Sequence, residues 1–189
     1  MKYVIAYWLL PAEPALQFFV ETIRELAIRF DAPVFDPHLT LFIAPLNCRS
    51  PVEVLAEFGE VSINLSTAGV GFSEQFTKTL FVQFEKSDPL QKLSDRISEL
   101  SGATEPSILD PHVSLLYRHL ASPAKRQLAA SINLRFTKVT FKGFGVVRCA
   151  SPTKTADDVR AWQLLATTRR KTCLGVWEKH LYTSSLRLI

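Results

Sequence analysis

Two histidines in this chain are each followed, two positions later, by a hydroxyl residue. The two segments read Asp36-Pro37-His38-Leu39-Thr40-Leu41 and Asp110-Pro111-His112-Val113-Ser114-Leu115. Imidazole exchanges a proton near neutral pH, and a hydroxyl can hydrogen-bond an anionic oxygen. The spacing alone is weak evidence, but both segments also share the Asp-Pro before the histidine and the Leu after the hydroxyl. Each segment therefore offers an acid or a base together with an anion-binding group.

Each of these segments has the pattern of a β-strand that is entered through a proline. Side chains alternate between the two faces of a strand, so His38 and Thr40 project from one face and Leu39, Leu41 and Ile43 from the other. The second segment divides in the same way. Residues two apart on a strand lie roughly 6 to 7 Å from each other, which suits each His and hydroxyl pair to hold one phosphate.

The other two histidines lack both features of the motif. His119 and His180 are followed two places later by Ala121 and Tyr182. We interpret these two histidines as surface or structural residues.

Length and composition predict a folded globular protein. A chain of 189 residues with 47% apolar content can form one domain or two small lobes with a shared core. Cys48, Cys149 and Cys173 are an odd, widely spaced set without a metal-ligand pattern, which favours a reduced, cytoplasmic setting. The apolar run Val4 to Leu10 lacks a cleavage site, and no run approaches the roughly 20 residues of a membrane span. Neither secretion nor a membrane span is predicted.

The positive charge of the chain is concentrated at its C-terminal end. Of 22 Lys and Arg and 18 Asp and Glu, residues 169–189 hold Arg169, Arg170, Lys171, Lys179 and Arg187 against Glu178, so the rest of the chain is balanced. A long polynucleotide groove needs a basic stripe across the body. The body is better suited to a small phosphorylated ligand or to the end of an RNA strand.

Apolar periodicity and capping signals predict four helices and eight strands. The helices are expected at Pro14–Phe30, Ser50–Phe58 with a capping box from Ser50 and Glu53, Asp88–Gly102 and Ser122–Ile132. The strands are expected at Tyr3–Leu10, His38–Ile43, Val61–Ser66, Thr79–Glu85, from His112 onward, Phe136–Lys142, Phe144–Cys149 and Val159–Thr167. The strands around Gly69 and Gly71 are expected to pair as a hairpin with a long loop.

The order of these elements indicates an internal duplication. Residues 1–67 and 78–167 each read strand, helix, His strand, helix, strand, and residues 168–189 form an extension. We therefore predict one bilobal α+β domain over 1–189, with two pseudosymmetric lobes, each an antiparallel sheet with flanking helices, facing each other across a central cleft. The alternative is an ordinary α+β sandwich with unrelated histidines.

The two motifs resemble the paired His-x-Thr/Ser-x motifs of the two-histidine phosphoesterase superfamily. The resemblance is closest to the branch of cyclic phosphodiesterases that act on 2′,3′-cyclic nucleotides or ADP-ribose cyclic phosphate. In that branch the second motif reads Pro-His-Leu-Ser-Leu-Leu-Tyr, matched by Pro111–Tyr117, and the first strand reads Trp-x-Leu-Pro, matched by Trp8–Pro11. A late strand containing Trp162 also resembles the family, and the resemblance extends over residues 3–167.

The resemblance implies a hydrolase that opens a cyclic phosphate with two histidines. His112 is then the base that activates water, and His38 is the acid that protonates the departing oxygen. Thr40 and Ser114 would hold the non-bridging oxygens where charge develops. This chemistry requires no metal and no organic cofactor.

Two aromatic residues align with residues that the family places beside its cleft. Trp8 and Tyr117 are therefore candidates for binding a nucleobase or ribose, with core packing as the alternative. Strand alternation points Tyr117 away from the cleft unless the strand ends or bulges after Leu116. Trp162 and Trp177 are interpreted as structural.

Two other functions remain open from the sequence. The same site would serve an RNA 2′-5′ ligase or an RNA-end-processing phosphodiesterase, and a non-catalytic module would bind a phosphoryl ligand without turnover. The expected partners are a small phosphorylated nucleotide, a ribose cyclic phosphate or an RNA end. The sequence leaves open the role of the basic and apolar tail and the oligomeric state.

Overall fold

Seven β-strands and five α-helices make up the part of the chain that the computed structural model describes, residues 2–103 and 109–168. The strands are β1 (Lys2–Pro11), β2 (Leu39–Pro45), β3 (Ser62–Phe72), β4 (Leu80–Phe84), β5 (His112–Leu116), β6 (Lys138–Ser151) and β7 (Gln163–Thr167). The helices are α1 (Ala15–Phe30), α2 (Pro51–Ala56), α3 (Asp88–Ser101), α4 (Ser122–Ser131) and α5 (Ala156–Arg160). A 3₁₀ turn, Phe76–Lys78, lies between β3 and β4.

All the strand pairs are antiparallel, and the order across the sheet is β1-β2-β5-β4-β3-β6-β7. Because β1 also pairs with β6, six of these strands close into a ring, and β7 extends it from β6. The predicted α+β class with antiparallel sheets and flanking helices is confirmed. The long strand β6 closes the ring, because its first part pairs with β3 and its later part pairs with β1.

The helices cover the outer side of this sheet. In α1 the apolar spacing places Phe19, Ile23 and Leu26 in the interior, as the sequence periodicity predicts. Helix α1 packs against β5, α3 against β2, and α4 against β3 and β4. Each motif strand is therefore backed by the long helix that precedes the other motif strand in the chain.

Several local predictions are wrong. The capping box predicted at the start of α2 is absent: Ser50 makes no side-chain capping hydrogen bond, and the Glu53 carboxylate pairs with Arg49. The two strands predicted at 136–142 and 144–149 are instead one continuous strand, β6, which begins at Lys138, ends at Ser151 and contains Gly143 with a positive φ of 76°. The segment predicted as a strand from Val159 begins inside α5, where the Thr155 hydroxyl and the Asp158 carboxylate form a capping box.

Other expectations from the sequence concern the membrane and the cysteines. No helix among residues 2–103 and 109–168 is long and apolar enough to cross a membrane. Cys48 and Cys149 are free thiols. Cys173, Trp177, His180 and the basic residues of the tail lie outside the described residues. The cytoplasmic setting stays a prediction.

Candidate active site

The two motif strands lie side by side in the sheet. Strand β2 pairs with β5 through Leu39 and Val113, which lie opposite each other. Both side chains are buried in the main core. Since neighbouring residues on a strand face opposite sides, the residues next to this pair project away from the core and into the cleft.

Extending this register by one residue in each direction brings together the four predicted catalytic residues. His38 comes opposite Ser114, and Thr40 comes opposite His112. Directly opposed residues have Cβ atoms about 5 Å apart, and diagonal neighbours lie roughly 7 to 8 Å apart. The histidines occupy one diagonal of this group and the hydroxyls the other, so that a phosphate can lie between all four. All four residues line one cleft with a volume of about 1380 Å³.

The Asp-Pro dipeptides fix the tautomer of both imidazoles. His38 Nδ1 is 2.6 Å from the backbone oxygen of Asp36, and His112 Nδ1 is 2.7 Å from the backbone oxygen of Asp110. A carbonyl oxygen only accepts hydrogen bonds, so Nδ1 carries the hydrogen in both histidines. Nε2 is therefore the atom that is left to exchange a proton with a ligand.

His38 lies in an aromatic environment. Its ring stacks on Trp8 at a centroid distance of 3.7 Å and an angle of 15°, while Trp162 and Phe35 contact it edge-on. The residue is 7% exposed. Burial lowers the pKa of His38 to about 4, although the hydrogen bond to Asp36 opposes the shift and His112 adds to it. His38 is consequently neutral over the physiological pH range.

His112 lies in a more polar environment. Its side chain is 22% exposed, and Phe81 contacts its ring edge-on. Burial lowers the pKa of His112, and the hydrogen bond to the Asp110 carbonyl opposes this shift. Lys78 lowers the pKa further, whereas the Asp110 carboxylate raises it. The two motifs, which are alike in sequence, thus hold their histidines in different surroundings.

The two hydroxyl groups also differ. Ser114 is buried, and its Oγ donates a hydrogen bond of 2.8 Å to the backbone oxygen of Thr77. Thr40 is half-buried and lines the cleft.

Trp8 and Tyr117 line the cleft as expected, but both are largely covered by protein. They are 3% and 2% exposed. Trp8 has His38 on one ring face, and Tyr117 stacks on Phe35 at 3.8 Å. Tyr117 turns towards the cleft because β5 ends at Leu116 and its register against β4 shifts at that end. Substrate contact by these two residues stays a prediction.

Other residues that line the cleft were not identified from the sequence. The segment between β3 and β4 contributes Gln75, Phe76 and Thr77. Trp162 and His119, interpreted as structural or surface residues, also line the cleft. No repeat or motif marks this segment. Its position follows from long-range contacts such as the hydrogen bond from Ser114 to Thr77.

No protein-family model and no curated protein sequence matches the chain. Solved structures do match. E. coli LigT complexed with 3′-AMP has a TM-score of 0.51 at 16% identity, and the match covers 88% of this chain and 97% of that chain. E. coli LigT complexed with ATP (TM-score 0.50) and a phosphoesterase (TM-score 0.53) are each 13% identical over the same shares.

This chain has the LigT fold. The fold expected from the resemblance of the motifs is therefore confirmed. At identities of 13 to 16% the match concerns architecture, and the chemistry has to be argued from the residues of this chain.

Proposed function

We propose that this protein is a metal-independent two-histidine phosphodiesterase that opens 2′,3′-cyclic nucleotides, or a related ribose cyclic phosphate, to a phosphomonoester. The observation that carries the proposal is the pairing of Leu39 with Val113. This pair brings two imidazoles with the same tautomer, and two hydroxyls, to one cleft. The LigT structures complexed with 3′-AMP and with ATP support a nucleotide as the ligand.

The four side chains supply the parts that the reaction needs. One neutral imidazole takes a proton from water through Nε2 as the water oxygen forms a bond to phosphorus. The bond from phosphorus to one ribose oxygen breaks, and the other imidazole, protonated, donates its Nε2 proton to that oxygen. Thr40 and Ser114 stabilise the charge on the non-bridging oxygens. The product is a monoester with a free neighbouring hydroxyl.

The surroundings of the histidines favour a division of roles opposite to the one that the resemblance implies. His38, with a pKa lowered to about 4, is neutral and suits the base. His112 is more exposed and has the Asp110 carboxylate 3.8 Å from its Nδ1, so it holds a proton more readily and suits the acid. Environments that separate the proton affinities of two groups divide acid from base in this way.

The direct experiment incubates the purified protein with a panel of 2′,3′-cyclic nucleotides in the presence of a chelator. Phosphorus NMR identifies the monoester and shows which ribose oxygen retains the phosphate. The double variant His38→Ala/His112→Ala controls for a contaminating activity. The proposal fails if no cyclic phosphate is opened, or if turnover disappears in chelator and returns with a divalent ion.

The size of the cleft favours RNA ends as a second candidate substrate. Sites for small ligands usually have volumes of roughly 300 to 1000 Å³, and the cleft is larger, at about 1380 Å³. An RNA-end-processing enzyme should have a higher kcat/KM for an oligonucleotide with a terminal cyclic phosphate than for the mononucleotide. This preference should also weaken steeply with salt. Equal kcat/KM for both substrates would leave the mononucleotide enzyme as the better description.

A further inference from the structure

A network of polar side chains lies beside His112, whereas the corresponding position beside His38 is occupied by an apolar residue. Gln83 on β4 lies opposite His112. On β1, Leu9 lies opposite Leu39, so the next residue, Leu10, comes opposite His38. Gln83 Nε2 donates to Asp110 Oδ1 at 3.2 Å and to the backbone oxygen of Pro111 at 2.9 Å. These bonds hold the Asp-Pro dipeptide that precedes the histidine.

Lys78 completes this network from the segment between β3 and β4. Its ammonium group forms an ion pair with the Asp110 carboxylate. It also lies 3.4 Å from Gln83 Oε1 and 4.3 Å above the ring of Phe81. The Lys78 side chain is only 14% exposed, so solvent screens its charge less than that of a surface lysine. Burial favours a higher pKa for Asp110, but hydrogen bonds from Lys78 and Gln83 keep that pKa below its usual value.

The two charges of this ion pair act on His112 in opposite senses. The Asp110 carboxylate, 3.8 Å from Nδ1, stabilises the imidazolium, and the Lys78 ammonium destabilises it. The other described groups beside the ring are neutral near pH 7: Gln83 and Phe81 from β4, Thr40 opposite His112 on β2, and His38 diagonally across the same strand pair. An imidazole responds strongly to charges within about 4 to 6 Å.

We propose that Lys78 and Asp110 are positioning residues that together determine how readily His112 takes up a proton, and hence the upper pH limit of activity. Asp110 also holds the ring through its backbone carbonyl, at 2.7 Å. The part of this proposal that concerns activity rests on the proposed function. The part that concerns the protonation of His112 is independent of any substrate.

The test is an NMR titration of the His112 ring in the full chain without substrate, with the signal assigned by comparison with His112→Gln. Lys78→Met removes the destabilising charge and should raise the pKa of His112 by several tenths of a unit to about one unit. Asp110→Asn keeps the shape and the backbone carbonyl, and should lower the pKa by a similar amount. The double variant should return it close to the wild-type value, and Lys78→Arg should leave it nearly unchanged.

Lys138→Met and Asp95→Asn are matched controls, because both residues are exposed and lie outside the cleft. The proposal is overturned if Lys78→Met and Asp110→Asn shift the titration in the same direction, or by no more than the controls do. If Lys78→Met does not fold, Asp110→Asn decides alone by the sign of its shift.

The pH dependence of kcat/KM is measured on the same variants. The alkaline limb should move with the titration of His112, upward for Lys78→Met and downward for Asp110→Asn. An alkaline limb that stays fixed while the ring titrates as expected contradicts the role of His112 in the proposed function and overturns the claim about the pH limit. The effect of the ion pair on His112 itself would then stand on the NMR data.

Discussion

Leu39 lies directly opposite Val113, and this pair joins the two motif strands. Both side chains are fully buried, which fixes the register, because a slip of one residue would turn an imidazole into the core and a leucine into the cleft. The two motifs lie far apart in the sequence. Their meeting in one site therefore depends on the closed sheet rather than on local structure.

Replacing either motif histidine should abolish most of the activity. A general acid or base typically contributes about 10² to 10⁴ in rate, so His38→Ala and His112→Ala should each lower kcat on the best cyclic phosphate by at least 10². The double variant should be little worse than the poorer single variant, since groups that act as a unit are not additive. Near-normal turnover by either single variant would contradict the two-histidine mechanism.

The roles of the two histidines can be separated with a substrate that needs no acid. A 4-nitrophenyl phosphodiester has a leaving group that departs without protonation. If His112 is the acid, the His112→Ala variant should lose much less activity on this substrate than on a cyclic nucleotide. The His38→Ala variant should lose activity on both substrates to a similar extent. The reverse pattern would restore the assignment that the family resemblance implies.

The two motif hydroxyls should differ in what their removal costs. Thr40→Ala removes a hydroxyl from the cleft and should lower kcat roughly 10- to 10³-fold. Ser114 must release the Thr77 carbonyl before it can donate to a phosphate, so Ser114→Ala should lower kcat less. It should also reduce the free energy of unfolding by about 1 kcal/mol, because the Thr77 oxygen loses its donor.

Urea unfolding and steady-state kinetics measure the two effects separately. Ser94→Ala is the matched control, since Ser94 is a buried serine that donates to the backbone oxygen of Leu41 and does not line the cleft. It should lose stability like Ser114→Ala but keep its activity. A Ser114→Ala variant with kcat as low as that of Thr40→Ala would contradict the expected difference.

The sequence was sufficient to predict both motif strands. It predicted which face of the strand each side chain occupies only as far as the hydroxyl residue of the motif. Between Thr40 and Phe42 the pairing with β1 skips Leu41, since Trp8 lies opposite Thr40 and Tyr7 opposite Phe42. This bulge reverses the alternation. Ile43, expected on the buried face, is 54% exposed, and Phe42 is buried instead. A skipped residue of this kind follows from the partner strand and has no local signal.

The surroundings of the histidines were not predictable from the motifs. Asp-Pro-His recurs almost identically, yet Trp8 stacks on His38 while Lys78 and Asp110 form an ion pair beside His112. Trp8 and Lys78 come from other strands and loops. Long-range packing determines their positions, so a pattern within either motif predicts the catalytic groups but not their proton affinities.

The stacked Trp8 should keep His38 dehydrated and neutral. Trp8→Leu removes the aromatic face and admits water beside the imidazole, so the pKa of His38 should rise from about 4 towards its ordinary value of about 6.5. The acidic limb of the kcat/KM profile should move upward with it. Trp8→Phe keeps a stacking face and should restore most of the wild-type profile. An unchanged acidic limb in a folded Trp8→Leu variant would show that Trp8 does not determine the protonation of His38.

The buried His38 should also make the stability of the protein depend on pH. Its pKa is about 4 in the folded protein and about 6.5 in the unfolded chain, so the unfolded chain binds the proton more readily. The stabilising contribution is therefore complete above pH 6.5 and is lost as the pH falls towards 4, by an amount on the order of 3 kcal/mol. His38→Gln has no such group, and its free energy of unfolding should fall less over this range. Urea unfolding of both proteins at pH 7, 6, 5 and 4.5 should show the two values converging as the pH falls. A constant difference between them would mean that His38 is not held neutral by burial.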